Sequence, residues 1–61
     1  MILKLELDIT EENALALAQF VKRVGWKEFE QNAANVSEAY AISDGVTRLQ
    51  RALAQAGYAP R

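Results

Sequence analysis

The sequence predicts a small α+β domain that is mostly helical and has one N-terminal strand. Residues 3–9 alternate strictly between apolar and charged side chains, which is the period of a half-buried strand. From residue 11 onward the apolar residues instead recur at spacings of three and four, as on one face of a helix. We therefore expect one domain over 1–61, with a strand over 2–9, a helix over 11–24, a short helix over about 27–33 and a long helix over 37–56.

The predicted strand has no second strand to pair with in the rest of the sequence. Its apolar side consists of Leu3, Leu5, Leu7 and Ile9. Because the backbone N–H and C=O groups of a strand need partners, we expect it to pair with the same strand of a second copy. The resulting two-stranded ribbon would pack on the helices of a homodimer. A strand of another protein, or no strand at all, are the alternatives.

The first helix is expected to begin after Thr10, whose hydroxyl can accept a hydrogen bond from the first turn. Gly25 and, after the last helix, Gly57 predict left-handed helix ends at which the next aromatic residue folds back onto the helix. The apolar stripe of the first helix consists of Ala14, Leu17, Ala18, Val21 and Val24, and Leu15 and Phe20 widen it.

The last helix has the most regular apolar pattern. Asn35 is the expected N-cap, with Glu38 as its capping partner, and Ser37 is the alternative cap. Gly45 weakens a helix interior. We expect the helix to continue through Gly45 because the heptad phase passes through it unshifted, and we expect a neighbouring backbone to lie too close there for a side chain. An exposed mid-helix glycine and a break at residues 43–45 are the alternatives. The seam follows a heptad spacing through Ala39, Ile42, Val46, Leu49, Leu53 and Ala56.

Composition narrows the possible classes of function. The 61 residues include no cysteine and no histidine, and the net charge is −1. Disulfides and the common zinc sites are therefore excluded, which leaves self-association as the way to stabilise so short a chain. The lack of a basic excess argues against nucleic-acid binding. Without a phosphate loop or spaced acidic ligands we expect no enzyme, no cofactor and no metal. Without a long apolar run we expect no membrane contact and a cytoplasmic protein.

One candidate partner-contact site lies around the end of the first helix and consists of Lys22, Arg23, Trp26 and Lys27. Tryptophan is enriched among the residues that dominate binding energies, and the three cations can meet an acidic protein or a phosphate. The competing interpretation is that the cations complement the helix dipole and that Trp26 belongs to the core.

The strings LAQFVKRVGW, EAY and ALAQAGYAPR resemble a family of small uncharacterised bacterial proteins that phages and mobile elements often carry. This resemblance implies a bacterial cytoplasmic setting and two partner classes, which are a host protein modulated by a small binder and DNA regulated by a small repressor. The predicted element order also resembles ribbon-helix-helix DNA-binding proteins. However, Glu6 and Asp8 would place acidic groups on the DNA-facing side of the ribbon.

These observations together predict a small non-enzymatic dimeric protein that binds a second copy of itself and another protein. An accessory or host-modulating role on a mobile element is what the family resemblance adds. A ribbon-helix-helix-like transcriptional regulator is the alternative function.

Overall fold

The computed structural model describes residues 1–58, and this part of the chain contains three α-helices. They are α1 (Glu11–Arg23), α2 (Trp26–Gln31) and α3 (Val36–Gln55). The bounds predicted for the three helices differ from these by at most two residues, which is the usual uncertainty at helix ends. Both α1 and α2 pack against α3, which is the central element of the fold.

The α+β prediction is wrong, because none of residues 1–58 forms a β-strand. Residues 1–10, which we call the N-terminal segment, have no regular structure and are exposed throughout. A strand exists only when a second strand accepts and donates its backbone hydrogen bonds, and the described chain offers none. The strand predicted over 2–9, and the ribbon paired across a homodimer that depended on it, are therefore absent, and the described fold is all helical.

The start of α1 is fixed by a reciprocal capping arrangement. The Asn13 N–H donates to Thr10 Oγ1 at 3.0 Å, and the Thr10 N–H donates to Asn13 Oδ1 at 3.3 Å. Thr10 is thus confirmed as the N-cap, and Asn13 is a capping partner that the sequence analysis did not identify. Two of the N–H groups that the first turn leaves without helical partners are satisfied in this way.

The predicted left-handed helix end at Gly25 is wrong. Gly25 has φ −135° and ψ −174°, which is extended backbone, and it serves as the N-cap of α2. Its N–H donates to Glu28 Oε1 at 2.9 Å. Because a new helix starts immediately at Trp26, the chain turns by two extended residues, Val24 and Gly25, rather than by a left-handed one, and Trp26 begins α2 instead of folding back onto α1.

The start of α3 follows the prediction. Asn35 Oδ1 accepts a hydrogen bond from the Glu38 N–H at 2.9 Å, which confirms Asn35 as the N-cap in preference to Ser37. Glu38 Oε1 in turn accepts from the Ala34 N–H at 3.2 Å, one residue before the position expected for a capping box. Ala34 and Asn35 are therefore both hydrogen-bonded to Glu38 in the first turn of α3.

Gly45 lies in the middle of a continuous α3, and the prediction that it is closely packed is wrong. A Cβ atom built at Gly45 meets nothing within 4 Å. The alternative of a break at residues 43–45 is also wrong, because α3 runs through them without interruption. Gly45 is therefore an exposed glycine in a helix interior, where it costs roughly 1 kcal/mol relative to alanine.

The end of α3 is a Schellman motif, as the sequence predicted from Gly57. The Tyr58 N–H donates to the Leu53 carbonyl at 2.8 Å, and the Gly57 N–H donates to the Ala54 carbonyl at 3.0 Å. Gly57 has φ +98°, the left-handed conformation that this motif requires. Tyr58 consequently folds back and packs against the core cluster.

The core is small and lies mainly between α1 and α3. It is formed by Ala14, Ala18, Val21 and Leu53, with Leu17, Val46, Leu49 and Tyr58 packed around them. Phe29 of α2 and Ala39 of α3 are also buried. A side-chain hydrogen bond joins the two long helices, because Gln50 Nε2 donates to the Val21 carbonyl at 2.6 Å. Leu15 and Phe20 were predicted to widen the core stripe but are exposed, so the core is narrower than the pattern indicated.

Candidate binding surfaces

The chain leaves an unusually large surface in contact with solvent. Its accessible surface is 5309 Å². A compact monomer of 6.8 kDa exposes about 4,000 Å², so the excess is about 1,300 Å². Large apolar side chains contribute much of the exposed surface, and they are Met1, Ile2, Leu3, Leu5, Leu7, Ile9, Leu15, Phe20, Trp26, Val36 and Tyr40. All of these residues except Leu15 fall into three regions in which a binding partner could remove apolar surface from water.

The N-terminal segment is the first of these regions. The four residues predicted to form the dimer strand are all exposed, from 78% at Leu5 to 40% at Ile9. At the start of the segment, residues 1–3 lie beside Asp44 and Arg48, with which they line a shallow cavity. The segment thus keeps its apolar side chains free of the core, and they remain candidates for contact with a second copy.

The second region is an apolar depression between the three helices, which we call the helical groove. It has a volume of about 290 Å³ and is lined by Phe20, Val24, Glu28, Phe29, Asn32, Ile42 and Val46. Phe20 is the most exposed of its apolar residues, at 61%. Glu28 and Asn32 already use polar groups within α2 and its cap, since Glu28 Oε1 accepts from Gly25 and the Glu28 carbonyl accepts from Asn32 Nδ2. The groove therefore offers mainly apolar contact.

A cation borders the helical groove. Arg23 lines an adjoining cavity of about 290 Å³ that shares Phe20, Val24 and Glu28 with the groove. The Arg23 guanidinium lies 3.4 Å from Gln19 Oε1 and is on the surface. An apolar ligand with an acidic group would therefore find a matching charge at this edge.

The third region is an aromatic pair at the junction of α2 and α3. The rings of Trp26 and Tyr40 lie with their centroids 4.8 Å apart and their planes tilted by 45°. Both side chains are exposed, and the exposed Val36 lies one helical turn before Tyr40 on the same face of α3. Trp26 is therefore partly exposed and is not one of the buried core residues.

The residues of the predicted contact site lie around the end of α1 and the start of α2, and two of them line different cavities. Lys22 lines a different cavity, of about 230 Å³, together with Val21, Gln50 and Tyr58. Arg23 borders the helical groove instead. Lys27 is exposed on α2, one residue after Trp26. Lys22 and Arg23 thus border two different cavities, and the contact site stays a prediction.

The Tyr58 phenol lies in a perturbed electrostatic environment. The Tyr58 hydroxyl donates to Glu11 Oε1 at 3.3 Å, which joins the end of α3 to the start of α1. Desolvation and the neighbouring Glu11 carboxylate raise the pKa of Tyr58 above its ordinary value. Among residues 1–58 no acidic, cysteine or histidine cluster could hold a metal ion. The same residues contain no helix that is long and apolar enough to span a membrane.

The helical groove was missed by the sequence analysis, although one signal for it was present. Phe20 immediately precedes Val21, and successive residues differ by about 100° around a helix. Phe20 therefore lies at the edge of the α1 stripe, where it turns away from α3. No periodicity in one helix could identify the groove, because α1, α2 and α3 each contribute to its wall.

Comparison with known proteins identifies a family. Searches of curated proteins and of solved structures find no significant match. One family model matches residues 1–61, so it covers the three strings from which the sequence analysis inferred a resemblance. The expected membership of an uncharacterised family is confirmed in this general form. The chain belongs to DUF7706, a family of unknown function.

Proposed function

We propose that this chain is a small non-enzymatic protein that forms a homodimer and binds another protein. The observation that supports both contacts is the excess of about 1,300 Å² of exposed surface over a compact monomer of this mass. A standard protein–protein interface removes about 800 Å² from each partner. The excess is therefore larger than one subunit's share of a single interface, and the exposed large apolar residues occur in separate regions of the molecule.

The N-terminal segment is the region that we assign to the second copy. A core formed by few buried residues gives a chain of this length little stability, and the sequence provides no disulfide to increase it. Burial of Leu3, Leu5 and Leu7 in a dimer would stabilise it by roughly 1.5–3 kcal/mol per side chain. Self-association is thus a physical means of stabilising this fold.

The aromatic pair is the region that we assign to the other protein. Tryptophan and tyrosine dominate the binding energy of many interfaces. The contact between the rings of Trp26 and Tyr40 holds both side chains in place before binding, which lowers the entropy lost when a partner docks. An accessory or host-modulating role for this contact, in a cytoplasmic protein encoded on a mobile element, is a narrower proposal that rests on the family resemblance alone.

Capture experiments with two matched variants test the protein-binding proposal. Tagged wild-type chain is incubated with a lysate of the native host, and bound proteins are identified by mass spectrometry. We expect a specific partner that is lost with Trp26→Ala and retained with Leu15→Ala, since Leu15 is also exposed but lies on α1 outside the aromatic pair. Equal capture by both variants would contradict the assignment of the aromatic pair.

DNA binding as a transcriptional regulator stays a separate prediction with less support. The ribbon that motivated it is absent from residues 1–58. We expect only weak binding to duplex DNA at low salt in a fluorescence anisotropy titration, because the chain has net charge −1. Tight, sequence-selective binding that is lost with Lys4→Ala would favour the regulator instead.

A further inference from the structure

We propose that the homodimer forms by exchange of N-terminal segments, so that the apolar side of residues 3–9 of each copy packs into the helical groove of the other. This inference rests on the proposed homodimer and names the two surfaces that meet in it. It differs from a β-ribbon, because each segment would contact helices of the second copy rather than the second copy's own segment.

The two surfaces match in chemistry. When residues 3–9 are extended, their alternation places Leu3, Leu5, Leu7 and Ile9 on one side. The helical groove offers the complementary apolar surface, with five apolar side chains among its seven lining residues. With this side in the groove, Glu6 and Asp8 lie on the other side of the segment, away from the groove.

The N-terminal segment does not occupy the helical groove of its own chain. Residues 1–3 lie beside Asp44 and Arg48, and no residue of the N-terminal segment lines the helical groove. Asp44 follows Ile42 by two positions, which places the two side chains about 160° apart around the helix. Residues 1–3 and the groove of one chain are therefore on nearly opposite sides of α3, and the chain's own segment leaves its groove uncovered.

The segment is long enough for an exchange, and each copy exposes about 1,300 Å² more than a compact monomer, against the roughly 800 Å² that each partner loses in a standard interface. Nine extended residues span about 30 Å. The molecule measures 34 × 28 × 16 Å, so a segment can cross the thin dimension and reach a neighbour. In a two-fold dimer the contact occurs twice, once for each segment. Two such contacts would bury the N-terminal segment and Phe20 together. The apolar side chains of both are largely exposed in one chain.

Engineered cross-links test which surfaces meet. The chain contains no cysteine, so single substitutions report specific contacts. A tagged Leu5→Cys chain is refolded with an untagged Val24→Cys chain and oxidised mildly. We expect a disulfide between the two chains of different mass, and we expect much less product when Glu6→Cys replaces Leu5→Cys, because Glu6 lies on the opposite side of the extended segment. Preferential Leu5→Cys to Leu5→Cys linkage would overturn the exchange and indicate that the segments contact each other.

Sedimentation equilibrium separates failure of this inference from failure of the proposed function. We expect Leu5→Ser and Phe20→Ser each to raise the dimer dissociation constant by about 100-fold or more, since each removes two buried apolar side chains per dimer. Leu15→Ser is the matched control and should leave the constant unchanged. A wild-type chain that stays monomeric would refute both the homodimer and the exchange. A dimer unaffected by Leu5→Ser and Phe20→Ser would refute the exchange alone, and circular dichroism verifies that the variants remain helical.

Discussion

The N-terminal segment and α3 both carry a regular apolar pattern, yet only α3 becomes regular structure within one chain. The segment alternates with a period of two from Leu3 to Ile9, and α3 follows a heptad from Ala39. A helix forms its backbone hydrogen bonds within itself, from each N–H to the carbonyl four residues earlier. A strand depends on a second strand for every such bond. A helical pattern therefore predicts an element, whereas a strand pattern predicts only a face that needs a partner.

The same difference determines burial. Ala39 of α3 is fully buried at 0% exposure, and Leu53 is buried at 7%. Leu5 of the N-terminal segment is 78% exposed. The two regions have similar apolar content in their patterned positions, but α3 packs against α1 and α2, whereas the segment is exposed throughout. Substitutions in the two regions should consequently have very different effects on the monomer.

The largest expected difference is between Leu53→Ala and Leu5→Ala. Leu53→Ala should destabilise the fold by about 2–5 kcal/mol, because it leaves a cavity in the core. This cost approaches the whole stability of about 3–9 kcal/mol expected for a chain of this length. Leu5→Ala should change the free energy of unfolding by less than about 0.5 kcal/mol under dilute, monomeric conditions. Urea unfolding followed by circular dichroism measures both, and equal losses would show that the segment packs on the helices of the free monomer.

A smaller effect is expected at the start of α3. Asn35→Ala removes the acceptor for the Glu38 N–H and should cost about 1 kcal/mol. Ser37→Ala is the matched control, since Ser37 is exposed and does not act as the N-cap, and it should change the stability little. Chemical denaturation of the two variants checks this. A larger loss of stability with Ser37→Ala would mean that Ser37, rather than Asn35, is the N-cap of α3 in solution.

Substitution by alanine should change the stability in opposite directions at Gly45, inside α3, and at Gly57, just after its end. Gly45→Ala should stabilise by up to about 1 kcal/mol, because alanine is the better helix former and the site is open. Gly57→Ala should destabilise by about 1 kcal/mol, because its φ of +98° is unfavourable for a side chain. Thermal melts at matched concentration compare the pair. A fall in melting temperature for Gly45→Ala that appears only at high concentration would show that a second copy approaches Gly45.

The smallest expected effect concerns pH. The pKa of Tyr58 is raised in the folded chain, so the protonated phenol is favoured there relative to the unfolded chain. Its contribution to stability is complete below the unfolded value of 10.0 and is lost as the pH rises through the higher folded value. We expect melting temperatures measured above about pH 10 to decline less steeply in Tyr58→Phe than in the matched variant Tyr40→Phe. Identical declines would show that the contact with Glu11 is absent in solution.

Local rules predicted most of the helical structure. They failed where the conformation or packing of a residue depends on another helix. Thr10, Asn35 and Gly57 were identified correctly because capping and the Schellman motif depend on a few consecutive residues. Gly25 was misinterpreted because its conformation depends on how soon α2 restarts. Gly45 was misinterpreted because the sequence contains no information about the space beside α3.

The candidate binding surfaces, like the helices, were predicted only in part from the sequence. Trp26 was identified from its residue type, and Leu5 from its alternating pattern. The ring of Tyr40 beside Trp26, and the groove around Phe20, depend on how three helices pack and on the angle between α2 and α3. Such surfaces combine residues from distant parts of the chain, and no single stretch of sequence displays them.

The irregular N-terminal segment also sets the susceptibility of the chain to proteases. Proteases cleave extended, accessible backbone, and opening such a segment costs almost no free energy. Lys4 lies in this segment, whereas the other lysines and arginines of residues 1–58 lie in helices. Trypsin should therefore cut first after Lys4. The rate of that cut is a direct measure of how long a partner shields the segment, so the lifetime of the molecule in a cell would depend on how fully its N-terminus is occupied.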